Sequence, residues 1–125
     1  MLANNKIIGF APIKDKARAK EFYEKALGLP FVADDGFALV FNANGNMLRL
    51  VKMPDYQPVQ FTILGWEVND IEKTVKELQE NGVEFQKYPW MPPDPLGIWT
   101  APGGARVAWF KDPDGNVLSV SQHPE

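Results

Sequence analysis

The stretch Asn42-Ala43-Asn44-Gly45-Asn46-Met47-Leu48-Arg49-Leu50 returns seventy residues later as Asp112-Pro113-Asp114-Gly115-Asn116-Val117-Leu118-Ser119-Val120. The Gly, the following Asn and the first Leu are identical, and polar turn residues match polar turn residues. A second echo lies upstream, where Ile8 to Asp15 aligns with Ile63 to Asp70. Each of those strand-like segments runs into an amphipathic helix. A repeat that matches both the start and the end of two halves predicts a duplicated βαβββ unit.

Working outward, 7–13 reads as a strand and Asp15 as the N-cap of a helix. Its carboxylate can accept from the unpaired N–H groups of the first turn. Ala19, Phe22, Tyr23, Ala26 and Leu27 form one stripe at helical spacing, and Gly28 supplies the left-handed stop. Short strands are expected at 31–32, 37–41 and 47–51, separated by Asp34-Asp35-Gly36 and the Asn42–Gly45 turn. The second half repeats the plan: a strand over 60–68, an Asp70 cap, a stripe of Ile71, Thr74, Val75 and Leu78, and a stop at Gly82. Four prolines within 88–95 deny a sheet its donors, so that stretch is an edge or a loop. Strands at 98–101, 106–111 and 117–121 complete the half. The expected organisation is one α+β domain over 1–125, with module one at about 6–52, a linker at 53–58 and module two at about 59–121.

Composition narrows the function classes. Among 125 residues the net charge is −3, and the basic residues are scattered. A phosphate-backbone footprint, and hence nucleic-acid binding, is not expected. There is no cysteine, which removes disulfides, thiol nucleophiles and thiolate metal sites. Residues 1–6 lack the pattern of a secretory leader, and no apolar run approaches membrane length. A soluble cytoplasmic protein, free of membrane, is the expectation.

Phe22-Tyr23 with Leu27-Gly28, followed much later by Asp112-Pro113-Asp114-Gly115-Asn116 before a last strand, resembles the vicinal oxygen chelate superfamily. That group includes glyoxalase I, bleomycin-resistance proteins and extradiol dioxygenases. The resemblance covers about 7–121. It implies two βαβββ modules whose mixed sheets curl into a half-barrel cup, commonly completed by dimerisation. It also implies, for catalytic members, one divalent metal held by His or Glu from the first and last strands of each module.

Carried onto this chain, those four positions are Ile8, Arg49, Ile63 and Ser119. None is a good ligand for a divalent cation, and a guanidinium repels one. The single histidine, His123, reads as a solvated tail residue. The expectation is therefore no metal and no cofactor, with glyoxalase and dioxygenase chemistry disfavoured. Asp112 to Asn116 reads as a turn rather than a ligand set.

Strand alternation extends the inward-facing set to Phe10, Met47 and Val51, to Phe61, Gly65 and Glu67, and to Val117 and Ser121. Arg49 either contacts an anionic group of a ligand or pairs with Glu67 or another acid, because a sequestered guanidinium needs an anion. Trp90 and Trp99 belong to an aromatic, proline-rich region that fits a lid over a planar ligand, or else a dimer surface. Trp66 has the opposite parity and should face the helix layer. Three functions follow. The first is a metal-independent, homodimeric binding protein for a small organic molecule, anionic or planar, using Arg49, Ser119, Phe10, Met47, Phe61, Trp90 and Trp99. The second is a metal-free lyase or isomerase with Glu67 as base and Arg49 as oxyanion stabiliser. The third is a partner-binding module with a filled cup.

Overall fold

The structure is a computed structural model that describes residues 1–125. It divides into two compact units, Met1–Gln57 and Pro58–Glu125, whose boundary falls inside the 53–58 segment.

In the first unit a short 3-10 turn (Leu2–Asn4) precedes β1 (Gly9–Ile13), α1 (Lys16–Glu21), β2 (Phe31–Asp34), β3 (Leu39–Ala43) and β4 (Asn46–Lys52). The sheet order is β1-β4-β3-β2, with β1 parallel to β4 and the other pairs antiparallel. Asp15 caps α1 as expected, accepting from the Arg18 N–H at 3.1 Å. The helix is not one continuous α-stretch, however. It widens into a π-turn over Phe22–Ala26 before Gly28, whose φ of +76° ends it. Tyr23, on that wider turn, is fully buried and packs on Phe41, ring centroids 6.0 Å apart. Ala11, Ile13, Leu39, Phe41, Leu48 and Leu50 form the buried face of the sheet. The opposite face carries Phe10, Met47 and Arg49, none of them buried, so the alternation inferred from the sequence holds here. The strands are displaced by up to two residues from expectation. Ile8 and Phe37 lie outside them, and both are exposed.

The second unit contains β5 (Thr62–Glu67), α2 (Ile71–Glu80), β6 (Trp99–Thr100), β7 (Arg106–Lys111) and β8 (Val117–Gln122). Its order, β5-β8-β7-β6, repeats the first, again with one parallel pair, β5 with β8. Asp70 caps α2 through the Lys73 N–H at 3.1 Å. Gln122 adds a second anchor from β8, its Oε1 accepting from the Ile71 N–H at 2.9 Å. Ile71, Val75, Val83, Ala108, Phe110, Leu118 and Val120 make the core. Trp66 pairs with Val120 on that core side, as its parity required.

The proline-rich segment forms no strand. Only Phe85 bridges, to Phe110, and beyond it the Asp94 carboxylate ties down the loop by accepting from the N–H groups of Leu96 and Ile98 at 3.0 and 2.9 Å. The strand expected over 98–101 is correspondingly reduced to Trp99–Thr100. Phe61 lies just outside β5. The architecture is thus two open, four-stranded mixed sheets with few helices, an α+β fold of two like modules. No helix is long and apolar enough to cross a membrane.

Candidate functional site

On the helix-free face of the first sheet, register aligns Phe10, Arg49 and Val40 in one row across β1, β4 and β3. Phe10 is 62% exposed, and Met47 and Ile8 are also exposed. A sheet that shows one face to water ordinarily covers that face with polar side chains. This face instead presents apolar groups around a guanidinium.

Arg49 pairs with an acid of its own unit. Its Nη2 donates to Asp35 Oδ2 at 2.8 Å, and its Nη1 lies 3.7 Å from Met47 Sδ. Asp35 belongs to the β2–β3 turn of the same unit, and its other oxygen accepts from the Phe37 and Ala38 N–H groups, both at 2.9 Å. The Arg49 hydrogen bond first, then those two backbone donors, hold its carboxyl at about 2 rather than 3.8. Asp35 was legible only as a turn residue. Its partnership with Arg49 depends on the reach of a long side chain from β4 past β3 to the turn, which strand parity does not encode.

On the second sheet the helix-free face is aromatic. Tyr88 and Trp90 stack with planes 6° apart and centroids at 5.7 Å. Trp90 meets Trp99 and Trp109 edge-on at 5.5 and 5.9 Å, and Trp99 lies 6.0 Å from Trp109. Trp109 Nε1 donates to Thr62 Oγ1 at 3.1 Å. That contact arises from a register shift in β5, which sets Thr62 against Val117 but Leu64 against Leu118. Strict alternation from Ile63 therefore does not describe the start of β5, and Thr62 joins the face unforeseen. Trp99 and Trp109 hold the base of the cluster, while Trp90 is 59% exposed at its surface.

Ser119 lies on β8, on the face that carries Trp109. It is buried, flanked in register by Gly65 on β5 and Trp109 on β7. Val117 is buried too, so neither lines an open surface. Glu67 is exposed and pairs in register with Ser121. Phe61 is exposed, and Ile63 is half-buried. His123 is exposed, and its Nε2 sits 3.0 Å from Ser121 Oγ.

The donor set for a divalent metal is absent at the positions the resemblance singles out. Ile8 and Ile63 have no donor atom, Arg49 is a cation in an ion pair, and Ser119 offers one neutral hydroxyl. No three His, Asp or Glu side chains gather in a geometry that could hold a metal ion. The residues present do not fit the metal centre of the catalytic relatives.

Asp112–Asn116 forms a tight turn, with the Gly115 N–H donating to the Asp112 carbonyl at 3.0 Å. Asp112 Oδ1 accepts from the Asp114 and Asn116 N–H groups at 2.9 and 3.0 Å, and Gly115 adopts φ +89°.

Comparison with known proteins agrees with this architecture. The curated relative "Uncharacterized protein YraH" of Bacillus subtilis (strain 168) is 27% identical, covering 86% of this chain and 90% of that one. A solved member of the glyoxalase/bleomycin resistance protein/dioxygenase superfamily from Sphaerobacter thermophilus superposes with a TM-score of 0.76 at 22% identity, covering 98% of this chain and all of that one. The fosfomycin resistance protein FosX of Listeria monocytogenes gives 0.74 at 13% identity, with coverage of 97% and 94%. At those identities the structural likenesses speak for the fold. The family model for the Glyoxalase/Bleomycin resistance protein/Dioxygenase superfamily matches residues 8–120, and the chain belongs to that superfamily.

Proposed function

We propose that the protein is a metal-independent small-molecule binding protein of the glyoxalase/bleomycin-resistance type, a cytoplasmic homodimer that takes an organic ligand on its helix-free sheet faces. The observation that carries this reading is the Tyr88–Trp90–Trp99–Trp109 cluster, whose outer ring, Trp90, is left uncovered. A rigid aromatic surface of this kind binds planar molecules at low entropic cost. The exposed Phe10 and Met47 on the first sheet, with Ile8 just before β1, supply further apolar area for ligand or for the second subunit.

The metal-free lyase or isomerase alternative asks Arg49 to stabilise an oxyanion. The pairing with Asp35 commits that guanidinium elsewhere, which favours binding over catalysis. The filled-cup alternative asks such apolar side chains to be packed away, and in the first unit Phe10 and Met47 are exposed, which favours a ligand.

The test is a thermal-shift and calorimetric screen of the purified protein against planar aromatic acids such as 1-naphthoate, with metal content and mass by light scattering measured alongside. Saturable binding that Trp90→Ala weakens, by a dimer without stoichiometric metal, is the expected result. Stoichiometric Zn, Ni, Mn or Fe, or failure of every probe to saturate, would overturn the reading.

A further inference from the structure

The first unit holds an open groove of about 330 Å³, lined by Lys6, Val32, Val40, Asn42, Gly45 and Met47 among others. It lies on the helix-free face, at the end of the sheet near the β3–β4 turn. Its walls come from three separate devices. The chain before β1 brings Lys6, whose Nζ lies 3.7 Å from where a Cβ on Gly45 would stand. An irregularity in β2, where Phe31 faces Phe41 but Ala33 faces Val40, leaves Val32 out of register and 60% exposed. β3 and β4 contribute Val40 and Met47, the two residues that also flank Arg49, as its register partner and its sulfur contact.

Charge decides what suits this groove. The neighbouring guanidinium already has an anion, Asp35, while Lys6 forms no ion pair. Asn42 Oδ1 is taken by the Gly45 N–H at 2.6 Å, which leaves the Asn42 amide group to donate. The groove therefore offers a free cation and a side-chain donor at one end and an apolar bed of Val32, Val40 and Met47 beside them. At the lower limit of small-molecule site volumes, it has room for a compact ligand only.

We propose that this groove binds a small amphiphilic carboxylate, with Lys6 as the cation for its acid group and Val32, Val40 and Met47 as the bed for its apolar chain. The inference rests on the reading of the protein as a small-molecule binder and specifies a ligand class and the residue that selects it. Lys6, rather than Arg49, is the charge that recognises the ligand.

The experiment is an amide-resolved NMR titration of the full chain with hexanoate, 1-hexanol and hexylammonium, and separately with 1-naphthoate. Hexanoate should give saturable shifts at Val32, Val40, Asn42 and Met47, with 1-hexanol and hexylammonium markedly weaker. Lys6→Gln should weaken hexanoate about fivefold, the scale of an exposed ion pair, and Lys76→Gln should not. Raising NaCl from about 50 to about 500 mM should weaken it further in the parent protein than in Lys6→Gln, because salt screens the exposed ammonium. Groove shifts that Lys6→Gln leaves at the same affinity would overturn the proposal. So would hexanoate shifts confined to 88–109, although the small-molecule reading would survive that result. Failure of all four probes to saturate would remove both.

Discussion

Gly65 and Ser119 face each other across the parallel pair β5 and β8, and a Cβ on Gly65 would stand 2.8 Å from Ser119 Oγ. Real Cβ atoms do not approach that closely, so a side chain at 65 would have to displace the Ser119 hydroxyl, which is buried with Trp109 as its register partner. Gly65 is therefore required by its neighbour rather than by its own backbone angles. Gly65→Ala should destabilise the protein by about 1–3 kcal/mol, the usual cost of overpacking. Ser119→Ala removes the opposing oxygen, so the double variant should recover much of that loss. Denaturant unfolding of the four proteins measures the coupling, and simple additivity would refute the contact.

The Asp35–Arg49 pair makes a prediction in pH. The carboxyl is held at about 2 in the folded chain against an ordinary 3.8, by the Arg49 hydrogen bond and then by the Phe37 and Ala38 N–H groups. A depressed carboxylate stabilises the fold fully above its unfolded value and loses that contribution as pH falls towards its folded value. The stability gap between the parent and Asp35→Asn should therefore be widest above about pH 4 and close by about pH 2. Urea unfolding at stepped pH checks this; a gap that stays constant over the window would mean the pair does not form.

The two copies of the repeated turn should differ in worth. Asp112 is buried and accepts from the Asp114 and Asn116 N–H groups and from the Asn116 side-chain amide at 2.8 Å. Asn42 is exposed and accepts only from the Gly45 N–H. Asp112→Ala leaves buried donors without partners and should cost about 2–4 kcal/mol, whereas Asn42→Ala should cost about 0.5–1 kcal/mol. Equal losses in thermal or chemical unfolding would show that burial is not what separates them.

How much of this was legible follows from how local each feature is. The caps at Asp15 and Asp70 and the turn around Gly115 were readable because each is settled within a few residues. The module order followed from the duplication, which preserves such local signals twice. The features that were missed are relations between strands. The register irregularities at Val32 and Ile63 depend on what the partner strand presents. The placement of Arg49 against Asp35 depends on where a turn ends up beside a sheet. Ser119 was assigned to the correct face but not to its burial, since the bulk of Trp109 and the closeness of Gly65 are tertiary facts. Parity identified faces well; it could not say which residues on a face are covered by neighbours.

The tryptophan cluster separates structural from ligand-facing roles within one group of rings. Trp109 is half-buried, donates to Thr62 and touches Tyr88, Trp90 and Trp99, so it is the base on which the others sit. Trp109→Phe removes that hydrogen bond and should cost about 1–2 kcal/mol, with the loop over 88–97 loosened as a consequence. Trp90 is mostly exposed, and Trp90→Ala should cost no more than about 1 kcal/mol, the value of its ring contacts. Its effect on binding a planar acid should be the larger of the two, at unchanged far-ultraviolet dichroism. Unfolding curves and calorimetry on both variants measure the contrast. If Trp90→Ala destabilised the fold as much as Trp109→Phe while binding stayed intact, the cluster would be core and not a binding surface.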